Sequence, residues 1–202
     1  MSGPDWDARY RAAEGSLFGD APNDYLRMIC ARTDFAPKTA LLPADGDGRN
    51  GSWLASQGIA VTAFDLSAEA TRRAVDRDKV NGVSVERFTA DVTAWQPAGR
   101  TWYAAIVFYL HGPASLRRAC LDKAIASLAP GGWIVLEAFA KAPQPATGPG
   151  PGSPALRYSN EELAEWVGEL QIVELMAGTI LLDEGSRHSG LADVVRLAAR
   201  RS

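Results

Sequence analysis

Three glycines and one acid carry the first chemical signal. Gly46-Asp47-Gly48-Arg49-Asn50-Gly51 satisfies the pattern G-x-G-x-x-G, and Asp65 stands 19 residues beyond Gly46. Glycines at such a turn let the backbone approach a ligand at the positive end of the following helix. A carboxylate at that distance meets both hydroxyls of a ribose. The pair suits a nucleoside-bearing cofactor, and the competing reading is a tight turn with Asp65 capping the next helix. Asp45 and Asp47 lie inside the loop and oppose a doubly charged diphosphate. S-Adenosylmethionine carries no phosphate, and its ammonium, carboxylate and sulfonium are compatible with an acidic loop beside free backbone N–H groups. The Tyr-x-x-x-Lys pair that poises a tyrosine for proton transfer in short-chain dehydrogenases does not occur in the chain. The balance favours a methyl donor. An NAD(P)-dependent oxidoreductase and a non-catalytic binder of S-adenosylmethionine or S-adenosylhomocysteine are the alternatives.

Other side chains have two readings each. His111 is the one group of near-neutral pKa at the end of the fourth strand candidate, so it is a candidate base for an alcohol or thiol. It equally suits a turn cap before Gly112-Pro113. Arg187 and His188 face an anionic substrate or stay solvated on their loop. Tyr158 is a candidate to close on substrate, and Trp6, Tyr10 and Phe18 form either a lid or ordinary aromatic packing.

Positioning these residues requires an α/β fold. Thr39 to Ala44, Ala60 to Asp65, Val83 to Ala90, Ala104 to Leu110 and Trp133 to Phe139 are short apolar runs bounded by Gly, Pro or Asp, and they predict parallel strands buried on both faces. Between them, Ser67 caps a predicted helix over Ala68 to Asp78. Leu116, Cys120, Ala124 and Leu128 recur every fourth residue on a second helix, which Pro130-Gly131-Gly132 stops. Ser159 and Glu162 read as a capping box opening Asn160 to Leu170. Gln171 to Leu182 and Leu191 to Ala199 predict an antiparallel hairpin with a long polar loop. The whole is a doubly wound, mostly parallel sheet with a C-terminal antiparallel hairpin. Residues 1–38 predict a partly helical arm and candidate lid, and residues 141–152 are too rich in Pro and Gly for regular structure.

The bulk properties narrow the class. A chain of 202 residues with 47% hydrophobic and 22% charged content suits one domain, 1–202, with a buried core. A net charge of −3 leaves no basic surplus for nucleic acid or an anionic bilayer. The start, Met1 to Asp7, lacks the basic and apolar stretches of a secretion signal, and the longest apolar run is too short to span a bilayer, which predicts a cytoplasmic protein. Cys30 and Cys120 are isolated, predicting buried apolar roles and no metal site. Oligomeric state leaves no sequence signal.

With these residues in place, the chain resembles class I S-adenosylmethionine-dependent methyltransferases, and within them the tellurite-resistance-type and thiopurine-methyltransferase-like branch. Trp6-Asp7-Ala8-Arg9-Tyr10 and Phe18-Gly19-Asp20-Ala21-Pro22-Asn23 resemble the arm of that branch. Phe108-Tyr109-Leu110-His111, Leu128-Ala129-Pro130-Gly131-Gly132 and Glu184-Gly185-Ser186-Arg187-His188-Ser189-Gly190 resemble its later segments. The resemblance implies that Ala44, Gly46, Gly48 and Arg49 take the donor's methionine end, Asp65 and Leu66 the ribose, Asp91 and Val92 the adenine, with Phe108 under the sulfonium. Tyr10, Tyr158, Arg187 and His188 become the candidate contacts of a small-molecule acceptor, with thiols and chalcogen compounds implied. Leu42 and Ala44 stand where most of the superfamily has an acid and a glycine. The donor's ammonium then needs Asp45 or a backbone carbonyl instead.

Overall fold

Alternate residues of the central strands enter two different cores. This is what short, continuously apolar strands require when helices cover both faces of a sheet. The computed structural model describes residues 4–141, 148–185 and 187–202. Its seven-stranded sheet has the order β3-β2-β1-β4-β5-β7-β6. The strands are β1 (Thr39–Pro43), β2 (Ala60–Asp65), β3 (Glu86–Thr89), β4 (Trp102–Phe108), β5 (Leu128–Phe139), β6 (Gln171–Asp183) and β7 (Ser189–Arg200). The first five pair in parallel, and β7 inserts antiparallel between β5 and β6.

Leu41, Ala105, Val107, Ile134 and Leu136 pack on one side against α5 (Ala114–Ala126) and α6 (Asn160–Trp166). Ala40, Leu42, Ala104, Ile106 and Val135 pack on the other, against α2 (Asp24–Cys30) and α3 (Arg49–Ser56). Along the outer half of the sheet runs α4 (Ala68–Asn81), with Ser67 accepting from the Ala70 amide at its start. The short helix α1 (Trp6–Ala12) lies against it. The capping box at Ser159 and Glu162 forms as the sequence predicts. The Pro/Gly-rich stretch lies outside the described residues at positions 142–147.

Three expectations are corrected. Leu128 continues the every-fourth apolar spacing of α5, yet the helix ends at Ala126 with Ser127 as its cap, and Leu128 opens β5 opposite Trp102. The arm divides in two, because Tyr25, Leu26 and Ile29 of α2 are buried in the core, whereas Tyr10, Ala21 and Asn23 lie against the glycine loop and the start of α3. Cys30 is half-buried, whereas Cys120 is fully inside. Burial pushes the two thiols up to about 11 and about 12. Among the described residues no helix is long and apolar enough to cross a membrane.

Candidate active site

The strand ends turn sharply at two places where a side chain disfavours the turn. Ala44, just past β1, has φ 56°, and Tyr109, just past β4, has φ 52°. A left-handed backbone costs an L-residue about 1–2 kcal/mol, and such strain concentrates at functional sites. Both residues sit at carboxyl ends of adjacent strands, on the edge where open α/β sheets bind ligands. At these strand ends lies a shallow cleft lined by Leu42, Pro43, Ala44, Asp45, Asn50, Ile106 and Phe108.

Gly46 donates its N–H to Asp65 Oδ2 at 2.9 Å, and Asp65 Oδ1 accepts from Ser67 N at 2.8 Å. Burial raises the Asp65 pKa, and these two amides oppose the rise. The acid at the end of β2 thus fixes the loop and keeps lone pairs for a ribose. Leu66 beside it is 57% exposed, an apolar side chain left open at the mouth. A Cβ on Gly46 would stand 2.5 Å from the hydroxyl of Tyr10. Tyr10 therefore lies over the donor loop and not on an acceptor wall, and burial, then the nearby Asp65 and Asp47, push its phenol pKa far up.

Asp45 and Asp47 do not act as the sequence suggests. Arg87 of β3 donates Nη1 to Asp45 Oδ2 at 2.8 Å and Nε to Asp78 Oδ2 of α4 at 2.6 Å. All three side chains are buried. Burial pushes the Asp45 carboxyl up to about 6, against the pull of Arg87. Asp45 Oδ2 would lie 2.5 Å from a Cβ on Gly51, so the third glycine of the motif admits this carboxylate. Asp47 accepts from Ser16 Oγ at 2.7 Å, and Arg77 lies 3.5 Å away. The acidic excess near the loop consequently rests on Asp65 and on the Asp45–Arg87–Asp78 triad. Asp45 is tied to Arg87, which leaves backbone carbonyls as the partners for a donor ammonium.

The pair expected at the adenine is held simply. Asp91 Oδ1 accepts from the Thr93 N–H at 2.7 Å and its hydroxyl at 2.8 Å, which holds its pKa low. Asp91 is exposed, and Val92 next to it is buried. Phe108 lines the cleft between the two halves.

Past β4 and β5 the site becomes a polar network that the sequence reading missed. Glu137 of β5 is 1% exposed. Its Oε1 accepts from Asn23 Nδ2 at 2.6 Å and Tyr109 OH at 2.9 Å, and its Oε2 from Arg196 Nε at 2.6 Å. Glu184 accepts from Arg49 Nη2 at 2.6 Å, from Asn23 Nδ2 at 3.1 Å and from the Asp24 amide at 3.2 Å. A single carboxylate inside the apolar run Trp133 to Phe139 was the available signal. Arg49, expected at the donor's methionine end, is instead buried against Glu184 and the Ala21 carbonyl.

His188 is 4% exposed, ring to ring with Tyr109 at 4.2 Å, Phe18 at 4.7 Å and Phe139 at 5.4 Å. Its Nδ1 has no hydrogen-bond partner among the described residues, with Glu184 Oε2 at 3.6 Å. Arg187 is exposed. His111 and Tyr158 take structural places. His111 Nδ1 lies 3.2 Å from the Leu156 carbonyl, Nε2 accepts the Phe139 N–H at 3.4 Å, and burial pushes its pKa down to about 3. It is neutral with both nitrogens engaged, so the geometry favours the turn-anchoring reading over the base. Tyr158 is wholly buried, donates to the Leu110 carbonyl at 2.9 Å and lies under the Arg117 guanidinium at 4.6 Å, in the core and not at the mouth.

These residues fit an adenosyl donor: a strained backbone loop whose neighbouring arginines, Arg77 and Arg87, are bonded to Asp47, Asp45 and Asp78, an acid at the ribose position, and open apolar surface at Leu66. Residues 43–132 match the family described as a methyltransferase domain. No curated protein matches the chain in sequence. Among solved structures, one described as the conversion of a disulfide bond into a thioacetal group during echinomycin biosynthesis superposes with TM-score 0.76 at 19% identity, over 98% of this chain and 90% of that one. TehB from Haemophilus influenzae gives 0.68 at 15%, over 89% of this chain, which spans only 60% of TehB. Magnesium protoporphyrin IX methyltransferase from Synechocystis PCC 6803, with bound S-adenosylhomocysteine, gives 0.64 at 16%, over 89% and 81%. Residues 43–132 thus match a methyltransferase domain, and the chain has the Rossmann-like fold of S-adenosylmethionine-dependent methyltransferases.

Proposed function

We propose that the chain moves the methyl group of S-adenosylmethionine to a small soft acceptor, a thiol or chalcogen compound, as members of the tellurite-resistance-type and thiopurine-methyltransferase-like branch would. One observation carries the reading: apart from His188, whose Nδ1 has no partner among the described residues, the ionisable groups around the cleft are engaged. His111 is neutral with both nitrogens bonded, Asp65 holds two amides, and Asp45, Glu137 and Glu184 each face an arginine. Burial pushes the Tyr10 and Tyr109 phenols far up. An acceptor that arrives as a thiolate or another polarisable nucleophile needs no protein base. The neighbouring fold described for disulfide-to-thioacetal conversion adds support from sulfur chemistry.

The donor supplies a methyl carbon on an already activated leaving group. The chain's part is alignment and exclusion of water, and positioning alone is worth up to about 7–11 kcal/mol of barrier. The Ala44 to Gly48 loop would hold the methionine end, Asp65 and Leu66 the ribose, Asp91 and Val92 the adenine, and Phe108 the floor beneath the sulfonium. His188, in its ring cluster, would orient the acceptor with its unused nitrogen.

The test is labelled-methyl transfer to a matched panel of thiols, chalcogen oxyanions and phenols between pH 6 and 9. Rates should follow the ionised fraction of each thiol, with no ionisation of His111 in the profile. Faster methylation of phenols than of thiols would overturn the acceptor class. S-Adenosylhomocysteine binding with no methylated member would point to a non-catalytic binder.

A further inference from the structure

Two segments distant in sequence, Asn23-Asp24 and Arg49, meet the carboxylate of Glu184 beside His188 of its own loop. Asn23 caps α2, the Asp24 amide opens it, Arg49 opens α3 within the glycine motif, and His188 belongs to the same hairpin loop as Glu184. The carboxylate is 8% exposed. Burial alone would raise its pKa, yet His188, Arg49 and the Asp24 amide hold it down to about 2, so it is charged at any working pH. The backbone is fixed there too. Glu184 N donates to the His188 carbonyl at 2.8 Å, and Gly185 packs so closely on the Gly19 amide that a Cβ has no room. Oε2 accepts from Arg49 at 2.6 Å on the donor side and lies 3.6 Å from the unbonded His188 Nδ1 on the acceptor side.

We infer that Glu184 is a positioning residue that couples the donor loop, through Arg49, to the acceptor wall at His188. The inference rests on the donor site proposed above. A ligand on the glycine loop that shifts the first turn of α3 would move Arg49, and with it the Glu184 oxygen that faces His188. Two sites that bias one buried ion pair are linked, and the linkage is reciprocal. His188 has Glu184 as its charged neighbour, Tyr109, Phe18 and Phe139 as ring neighbours, and Arg49 behind the carboxylate.

The chain has two histidines, which makes the test direct. Protein labelled with 15N-histidine is titrated with S-adenosylhomocysteine, and the ring signals of His111 and His188 are followed by NMR beside calorimetric binding. Saturating ligand should shift the His188 signals and leave His111 unchanged. In Glu184→Gln, which keeps the Asn23 and Asp24 contacts but removes the charge, the His188 response should fall by at least about half. Ligand affinity there should drop about fivefold. Arg49→Met should lose the response and Arg49→Lys should keep it, so the outcome does not depend on one variant folding. A wild-type His188 unmoved by bound ligand, or an undiminished response in Glu184→Gln, overturns the inference while leaving the donor site standing. A wild-type protein that does not bind the ligand overturns both.

Discussion

Replacing Arg87 by Met should destabilise the protein more than any other single change near the glycine loop. Arg87 lies between Asp45 and Asp78, and all three side chains are almost without solvent. Removing the cation leaves two buried carboxylates with no counter-charge, a change worth about 3–5 kcal/mol. That is a large part of the 5–15 kcal/mol typical of a folded domain. Urea unfolding at pH 7 should show the midpoint falling with little change in slope. The sign with pH follows from Asp45, whose folded pKa of about 6 exceeds the ordinary carboxylate value of 3.8. A carboxylate with a raised folded pKa binds protons more readily in the folded state, so stability from this site falls as pH rises between those values. In Arg87→Met the carboxylate loses its opposing cation and its pKa rises further. The deficit should therefore shrink as pH is lowered from 7 toward 5. Asp45→Asn in the same background should recover part of the loss and give a coupling energy of about 1–3 kcal/mol. An Arg87→Met protein within about 1 kcal/mol of wild type at pH 7 would refute the argument, because it would mean that the carboxylates are hydrated.

Ala44→Gly should relieve the left-handed strain at φ 56° and stabilise by about 1 kcal/mol in denaturant unfolding, whereas Ala44→Val should destabilise by at least as much. His111, held down to about 3 by burial, is neutral when folded and protonated below about 6.5 when unfolded. Its contribution to stability is complete above that value and lost as pH falls toward 3, so His111→Phe should flatten the acid limb of the stability curve. Gly51→Ala places a Cβ 2.5 Å from Asp45 Oδ2 and should cost about 1–3 kcal/mol of stability in thermal unfolding.

The legible parts of the chain were those whose partners lie close in sequence. The glycine loop and Asp65 are joined across one strand and one helix, and their spacing alone places them together. Strand positions followed from apolar runs, and the capping box from Ser159 and Glu162. Asp45 was misread because its partner Arg87 lies 42 residues away on another strand, and a loop acid looks free until the strand beside it is known. His111 was left between two roles for the same reason, with partners at Leu156 and Phe139. Leu128 continued a helical period across a turn that Ser127 does not announce. Glu137 was visible as a lone acid in an apolar strand, but its role depends on Asn23, Tyr109 and Arg196, from three separate elements.

Calorimetric titration of S-adenosylhomocysteine and of NADH into the wild-type chain and Asp65→Asn tests the donor site most directly. The account predicts that S-adenosylhomocysteine binds the wild-type chain, binds Asp65→Asn at least about tenfold more weakly, and that NADH binds neither. Binding of NADH with none of S-adenosylhomocysteine, or full affinity in Asp65→Asn, would contradict it.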